Sequence, residues 1–187
     1  MNTREDVVIA AGRLFAERGY HGTSMRDLGN ELGLLGSSLY SHVEGKQALL
    51  VEVVSRGARF FQDAADAALA RGGSPPDRLR ALIAGHIGVV LDHRSEVRTY
   101  LNEAAALDDE RRAAVIAARD RYEASFRTVL EEGCADGAFR SDVDVVSISI
   151  FILSILNAVE RWYRLSGRID RDDLVDATYG FVLDGIT

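Results

Sequence analysis

Ser37, Ser38, Tyr40, Ser41 and His42 stand within six consecutive positions, inside residues 23–46, TSMRDLGNELGLLGSSLYSHVEGK. Hydroxyls, a phenol and an imidazole both donate and accept hydrogen bonds, the chemistry that reads polar edges and phosphate oxygens. Such groups need a rigid platform. A short helix over 36–43 would turn Leu39 and Val43 inward and leave the polar set outward. Ahead of it, Met25, Leu28 and Leu32 recur on one helical face. Thr23 or Ser24 can cap that first helix, and Gly33 can end it in left-handed backbone. Two short helices across a tight turn make a helix-turn-helix, whose second helix fits the major groove of DNA; the same spacing also suits an ordinary helical hairpin.

Other groups able to do chemistry lie further on. His86 and His93 are seven apart on one apolar stripe, two turns from each other along a helix. With Glu103 they would make a metal site, but a histidine on such a stripe is ordinarily a core residue, and no metal is expected. Arg119 occupies a stripe position between Val115 and Tyr122, where a bare charge is costly to bury. It calls for a carboxylate such as Glu103 or for an anionic ligand group. Arg161, Trp162, Tyr163 and Arg164 join stacking surface to two cations after an apolar helix. They can complement the helix C-terminal dipole or bind a large anion. No catalytic residues are expected: the chain has no GxGxxG, P-loop, GxSxG or HExxH pattern, so it does not read as an enzyme.

The whole chain bounds these readings. Its 187 residues suffice for one or two domains with ample core, and 47% hydrophobic residues with only two prolines favour a compact helical fold. Cys134 is the single cysteine, which excludes an intrachain disulfide and a thiolate zinc site. The first residues, MNTREDVV, lack an apolar signal core, and no uninterrupted apolar run approaches a membrane span; a cytoplasmic protein is expected. The net charge of −7 argues against a nucleic-acid partner, but residues 1–46 hold five Lys/Arg against six Asp/Glu, so all but one unit of the net negative charge lies beyond them.

Periodicity then predicts the elements. A first helix covers 3–18 with Val7 or Val8, Ala11, Leu14 and Phe15 inward, and Gly19 ends it beside Tyr20. A long helix over 46–71 faces Leu49, Leu50, Val53, Phe60 and Phe61 inward. GGSPP breaks the chain, with Ser74 as cap of a helix over 76–93. Ser95 should cap the next helix, and Asp108 or Asp109 begins one that runs to 136. A helix over 144–165 is apolar on two faces, and Asp170 caps the last. Two apolar faces need two partners, the rest of the same chain or a second copy.

Residues 13–50, RLFAERGYHGTSMRDLGNELGLLGSSLYSHVEGKQALL, resemble the N-terminal domain of the tetracycline-repressor (TetR) family. The resemblance implies an all-α homodimeric repressor whose last two long helices pair with those of a second copy. A three-helix DNA-binding domain would occupy 1–46, and a helical ligand-binding and dimerisation domain 47–187. The family's contacts with double-stranded operator DNA would fall on Thr23, Ser24, Arg26, Ser37, Ser38, Tyr40, Ser41, His42 and Lys46. Of these, Tyr40 and Lys46 would hold phosphates, and Arg26, Ser37, Ser38 and Ser41 would reach base edges. Leu35, Gly36 and Gly29 depart from the family's usual capping Ser/Thr, Lys and Ala; a missing cap costs about 1 kcal/mol.

Scattered positions over 86–169, including HIGVVLDHRSEVRTYLNEAAAL and NAVERWYRLSGRI, resemble the branch of that family controlling sterol-ring and fatty-acid breakdown. That likeness implies a small-molecule effector of the CoA-thioester type and no other cofactor. Its pocket would draw on His86, Tyr100, Arg119, Tyr122, Phe126, Phe151, Arg161, Trp162 and Arg164. The alternatives are a TetR-type drug sensor for an efflux pump and a helical ligand-binding protein without DNA binding.

Overall fold

The computed structural model describes residues 3–34 and 39–187; the expectations placed on Leu35, Gly36, Ser37 and Ser38 lie outside them. Among the described residues every regular element is helical. Helix α1 is Arg4–Arg18, α2 Met25–Leu32, α3 Lys46–Ala70, α4 Pro75–Asp92 and α5 Arg94–Asn102. After a single 3-10 turn at Ala104–Ala106 come α6 Asp109–Ala135, α7 Val145–Trp162 and α8 Arg171–Ile186.

Capping explains most of these starts. Thr3 and Asp6 form a capping box at α1, as do Ser24 and Asp27 at α2. In each, the hydroxyl accepts an otherwise orphan N–H and the carboxylate accepts the cap's own N–H. Ser74 and Asp77 repeat the arrangement at α4, which therefore starts at Pro75. Asp108 accepts from the Arg111 N–H at 2.9 Å, and Asp170 from the Asp173 N–H at 2.8 Å. Ser95 does not cap α5: the helix begins at Arg94, with His93 at the N-cap position. Helix α7 stops at Trp162, three residues short of the expected end, because Tyr163 turns to extended backbone.

The chain gathers into two compact units. The first contains residues 1–59 and 93–117. In it α5 packs on α1, with buried Val97 at the contact face and the Thr99 hydroxyl donating to Gly12 O at 3.3 Å. Gly57 of α3 allows α5 to come close: a Cβ there would stand 2.8 Å from Cβ of Tyr100. A helix 93 residues into the sequence thus belongs with the N-terminal unit.

The second unit contains residues 60–92 and 118–187. Helices α7 and α8 both pack on α4, burying Leu79, Leu82, Ile83 and Val90 with Ile152, Leu156, Val159, Leu174 and Val175. Phe61 is buried there too, whereas Phe60 is only half-buried. The outer surface of α7 is another matter. Val146, Ile150, Phe151 and Ile155 remain exposed, so within one chain only one of the two apolar faces is covered. By length and composition α7 would suffice to cross a membrane, its interrupting serines notwithstanding. Its other side packs on α4, where Ser149 and Glu160 are also buried.

Candidate functional site

In the first unit, α2 packs on α1 and is closed at its end by Gly33, whose φ of 64° is the left-handed conformation that glycine adopts without strain. Arg13 pairs with Glu31 at 2.9 Å across the two helices. Leu28, Leu39 and Val43 are buried beneath the module, while Arg26, Tyr40 and Ser41 are exposed and His42 half-buried. Tyr40, at 57% exposure, is an aromatic hydroxyl kept in water with no packing reason for it.

Thr23, Ser24 and Lys46 turn out to be engaged inside the module. Thr23 is 2% exposed, and its hydroxyl is directed at the carbonyls of Gly19 (2.9 Å) and Leu14 (3.2 Å). A phosphate cannot reach it. Ser24 is exposed but its hydroxyl serves the α2 cap, and that hydroxyl together with the Ser24 N–H holds the Asp27 carboxyl below its usual range. The Lys46 ammonium donates to the carbonyls of Tyr20 and Thr23, both at 2.8 Å, and lies 4.2 Å from the centroid of the Tyr20 ring. A cation on the first residue of a helix opposes the helix dipole. Bending back onto two carbonyls of the α1–α2 corner gives that charge a partner.

The corner holds further residues that inspection of the sequence missed. Tyr20 donates its N–H to Glu103 Oε2 (3.1 Å) and its phenol to Gln47 Oε1 (2.6 Å), and its ring meets Phe15 edge-on. Gln47 in turn donates to Ala106 O at 3.3 Å. Glu103 is thereby spent on the backbone of residue 20 rather than on a metal. Partners more than eighty positions apart leave no local signal. The one available clue was Lys46 itself, a cation at a helix start.

In the second unit an aromatic cluster surrounds His86. Phe61 lies 4.6 Å from the imidazole and 5.4 Å from the Tyr122 ring, centroid to centroid, and Tyr122 meets Phe126 edge-on at 5.6 Å. His86 Nδ1 is 2.9 Å from the Tyr122 hydroxyl, and its Nε2 is buried with no hydrogen-bond partner. Burial pushes the imidazole pKa down to about 3, because the charged form loses its hydration. The ring is neutral at any physiological pH. His86, Tyr122 and Phe126 are therefore brought together, with Phe61 as a fourth member.

The remaining expected pocket residues are not gathered there. Tyr100 is buried in the first unit against Gly57. Phe151 is exposed on the outer side of α7, where it lines a groove of about 350 Å³ with Ile148, Ile155 and Phe181. Trp162, Arg161 and Arg164 lie exposed at the end of α7, Arg164 donating to the carbonyls of Arg161 and Tyr163. Arg119 is half-buried on α6. Among the described residues, no three His, Cys, Asp or Glu side chains come together as metal ligands.

Residues 8–53 match bacterial regulatory proteins of the tetR family, and residues 72–186 match the tetracyclin repressor-like C-terminal domain. The HTH-type transcriptional repressor KstR2 of Rhodococcus jostii is 31% identical over 187 residues, covering 98% of this chain and 90% of that protein. Its Mycobacterium tuberculosis counterpart is 30% identical over 191 residues, covering 98% and 92%. The solved structure of the ketosteroid transcriptional regulator KstR2 of M. tuberculosis matches with a TM-score of 0.92 at 27% identity, over 100% of this chain and 96% of that one. AibR in complex with isovaleryl coenzyme A and operator DNA matches with a TM-score of 0.87 at 26% identity, over 95% and 96%.

Proposed function

This chain belongs to the tetR family of bacterial regulatory proteins, and we propose that the metabolite it answers to is a coenzyme A thioester with a bulky apolar acyl group. It is a ligand-responsive transcriptional repressor that binds operator DNA as a homodimer. The observation that carries the effector class is the buried aromatic cluster of Phe61, His86, Tyr122 and Phe126. Its side chains are aromatic and its imidazole is held neutral, which suits an acyl body and disfavours a cationic drug. Arg161, Arg164 and Arg119 supply cations in the same unit for the phosphates of coenzyme A, and Trp162 offers an exposed face for its adenine. The likeness to AibR, whose solved complex holds isovaleryl coenzyme A and operator DNA, supports the same class.

On the operator side, Tyr40 meets a phosphate, and Arg26, with Ser37, Ser38 and Ser41, addresses base edges. Thr23, Ser24 and Lys46 act one step back, by fixing the corner and the start of α2. Helix α3 has residues in both units, so an effector that displaces its C-terminal half moves Lys46 and with it the reading module. A dimer must present both recognition helices at one helical repeat, so a small change in their separation loses both half-sites together. The effector achieves this only by binding the DNA-incompetent state more tightly.

The test adds a series of acyl-CoAs, and separately cationic dyes, to a fluorescent complex of the protein with its own upstream region. Release by acyl-CoAs of increasing apolar bulk, at concentrations where calorimetry shows binding, is the expected result. Bound acyl-CoA without release would sink the induction model, and release by the dyes alone would assign the chain to drug sensing.

A further inference from the structure

The cations of the reading module can be followed one by one. Residues 1–46 hold five Lys/Arg: Arg4, Arg13, Arg18, Arg26 and Lys46. Arg4 pairs with Glu52 at 2.8 Å and Arg13 with Glu31 at 2.9 Å. The Lys46 ammonium donates to the carbonyls of Tyr20 and Thr23. Arg26 is exposed, its guanidinium kept for a base edge. That leaves Arg18. Cations on phosphates release condensed counterions, and this release supplies a large share of the affinity for DNA. A module of slightly negative net charge has few places from which to draw it.

Arg18 ends α1, and its side chain is 52% exposed. Its Nη1 lies 3.9 Å from Asp27 Oδ1, too far for a hydrogen bond. Asp27 is not free to close the gap, because its Oδ2 accepts the Ser24 N–H at 2.8 Å and is anchored to the α2 cap. The Ser24 hydroxyl and N–H do most to hold the Asp27 carboxyl below its usual range, and the charges of Arg18 and Arg26 add to it. Both guanidinium groups therefore act on the first turn of α2. An exposed ion pair of this length contributes little and is readily exchanged for a better acceptor. A phosphate is one, since it can take two parallel N–H bonds from a guanidinium. The place also fits. In a helix-turn-helix the first helix crosses the sugar–phosphate backbone while the second enters the groove. Helix α2 is that first helix, and Arg18 stands beside its opening turn.

We infer that Arg18 is a phosphate-binding residue of the operator interface, and that Asp27 keeps its guanidinium beside the start of α2 until the DNA backbone replaces that carboxylate. Arg18 lies outside the residues that the sequence assigned to DNA. A cation in the last turn of a helix is ordinarily accounted for by the helix dipole, which hides any second use. Dipole and carboxylate are both partners within the chain, so neither ties Arg18 to the salt dependence of DNA binding. A phosphate contact does. The inference rests on the chain reading operator DNA, and it does not depend on which effector releases it.

The test uses the full-length protein and its own upstream region, with anisotropy titrations over roughly 50–200 mM KCl. Arg18→Gln should weaken binding about tenfold or more at the lowest salt, alike on all operator variants. It should also lower the slope of log K against log salt by about 1 for each half-site. Arg18→Lys, which keeps a cation without the planar fork, should recover the slope and only part of the affinity. Arg13→Gln, whose cation is committed to Glu31, should keep the wild-type slope. Thermal unfolding should place all three variants close to the wild type, as expected for exposed side chains. Ethylation of single operator phosphates gives a second measurement: at each half-site one ethylated phosphate should weaken the wild type and leave Arg18→Gln unaffected. A wild-type slope in Arg18→Gln would overturn the inference whatever the affinity, and so would the lack of such a phosphate. Failure of the wild type to bind its upstream region would remove the operator reading and this contact together, whereas a slope indifferent to Arg18 would remove the contact alone.

Discussion

Lys46 and His86 are each a polar group whose role is set by what surrounds it. For His86 the surroundings give a sign and a window for a pH effect. Its folded pKa of about 3 lies below the ordinary value of 6.5. Above pH 6.5 both folded and unfolded states hold it neutral, and it contributes no pH dependence. As pH falls below 6.5 the unfolded chain takes up a proton that the folded core refuses, so stability declines by about 1.4 kcal/mol per pH unit. Urea midpoints at pH 7.0, 6.0 and 5.0 should fall accordingly, and the slope should flatten in His86→Phe. The capping carboxylates Asp6, Asp27, Asp77, Asp108 and Asp144 are all held below 3.8, so stability linked to them is lost only at lower pH and does not contaminate that range. On the DNA side, Tyr40→Phe should weaken binding to all operator variants alike, by about 1 kcal/mol. Arg26→Ala should in addition relax the preference at one base pair, worth about 1–3 kcal/mol. Equal losses across every variant in both mutants would refute that division.

Between elements, the α1–α2 corner and the start of α3 form one fastened joint. Lys46 holds the carbonyls of Tyr20 and Thr23, while Gln47 and Glu103 hold the phenol and the amide of Tyr20. Lys46→Met is expected to cost about 1 kcal/mol of stability, since the part-buried carbonyls of Tyr20 and Thr23 lose its ammonium while Tyr20 O keeps the Thr23 N–H. Salt dependence separates this from a phosphate contact. A lost phosphate contact lowers the slope of log K against log salt by about 1, whereas a loosened joint weakens binding and leaves the slope unchanged. Gly57→Ala should be harsher, because α3 and α5 would have to separate around Tyr100. The helices themselves were legible in the sequence: apolar stripes and the capping residues Thr3, Ser24, Ser74 and Asp170 fall where α1, α2, α4 and α8 begin. The joint was not. Tyr20 and Glu103 are 83 positions apart and His86 and Tyr122 are 36 apart, and no periodicity encodes a pairing at such distance. Ser95 failed as a cap because composition marks a candidate, whereas only the path of the chain decides which residue precedes the first turn.

Across the molecule, the unfinished feature is the outer face of α7 and α8. Phe151 and Phe181 stand 60% and 70% exposed at the groove between these helices, an unusual state for two phenylalanines in a chain of net charge −7. The apolar stripes of α7 were legible, but a stripe does not say whether its cover is the same chain or another copy. We assign this face to the homodimer contact. Phe151→Glu or Phe181→Glu should yield a folded monomer in sedimentation equilibrium, with operator affinity reduced by orders of magnitude and unit stability nearly unchanged. A variant that stays dimeric would place the contact elsewhere. A face finished only by a second copy also changes how the repressor counts itself. While chains are mostly unpaired, the DNA-competent species grows with the square of their concentration, so halving the supply leaves about a quarter of the dimers by mass action. Dilution at cell division would then loosen the operator more steeply than the same fractional loss would for a reader that worked alone.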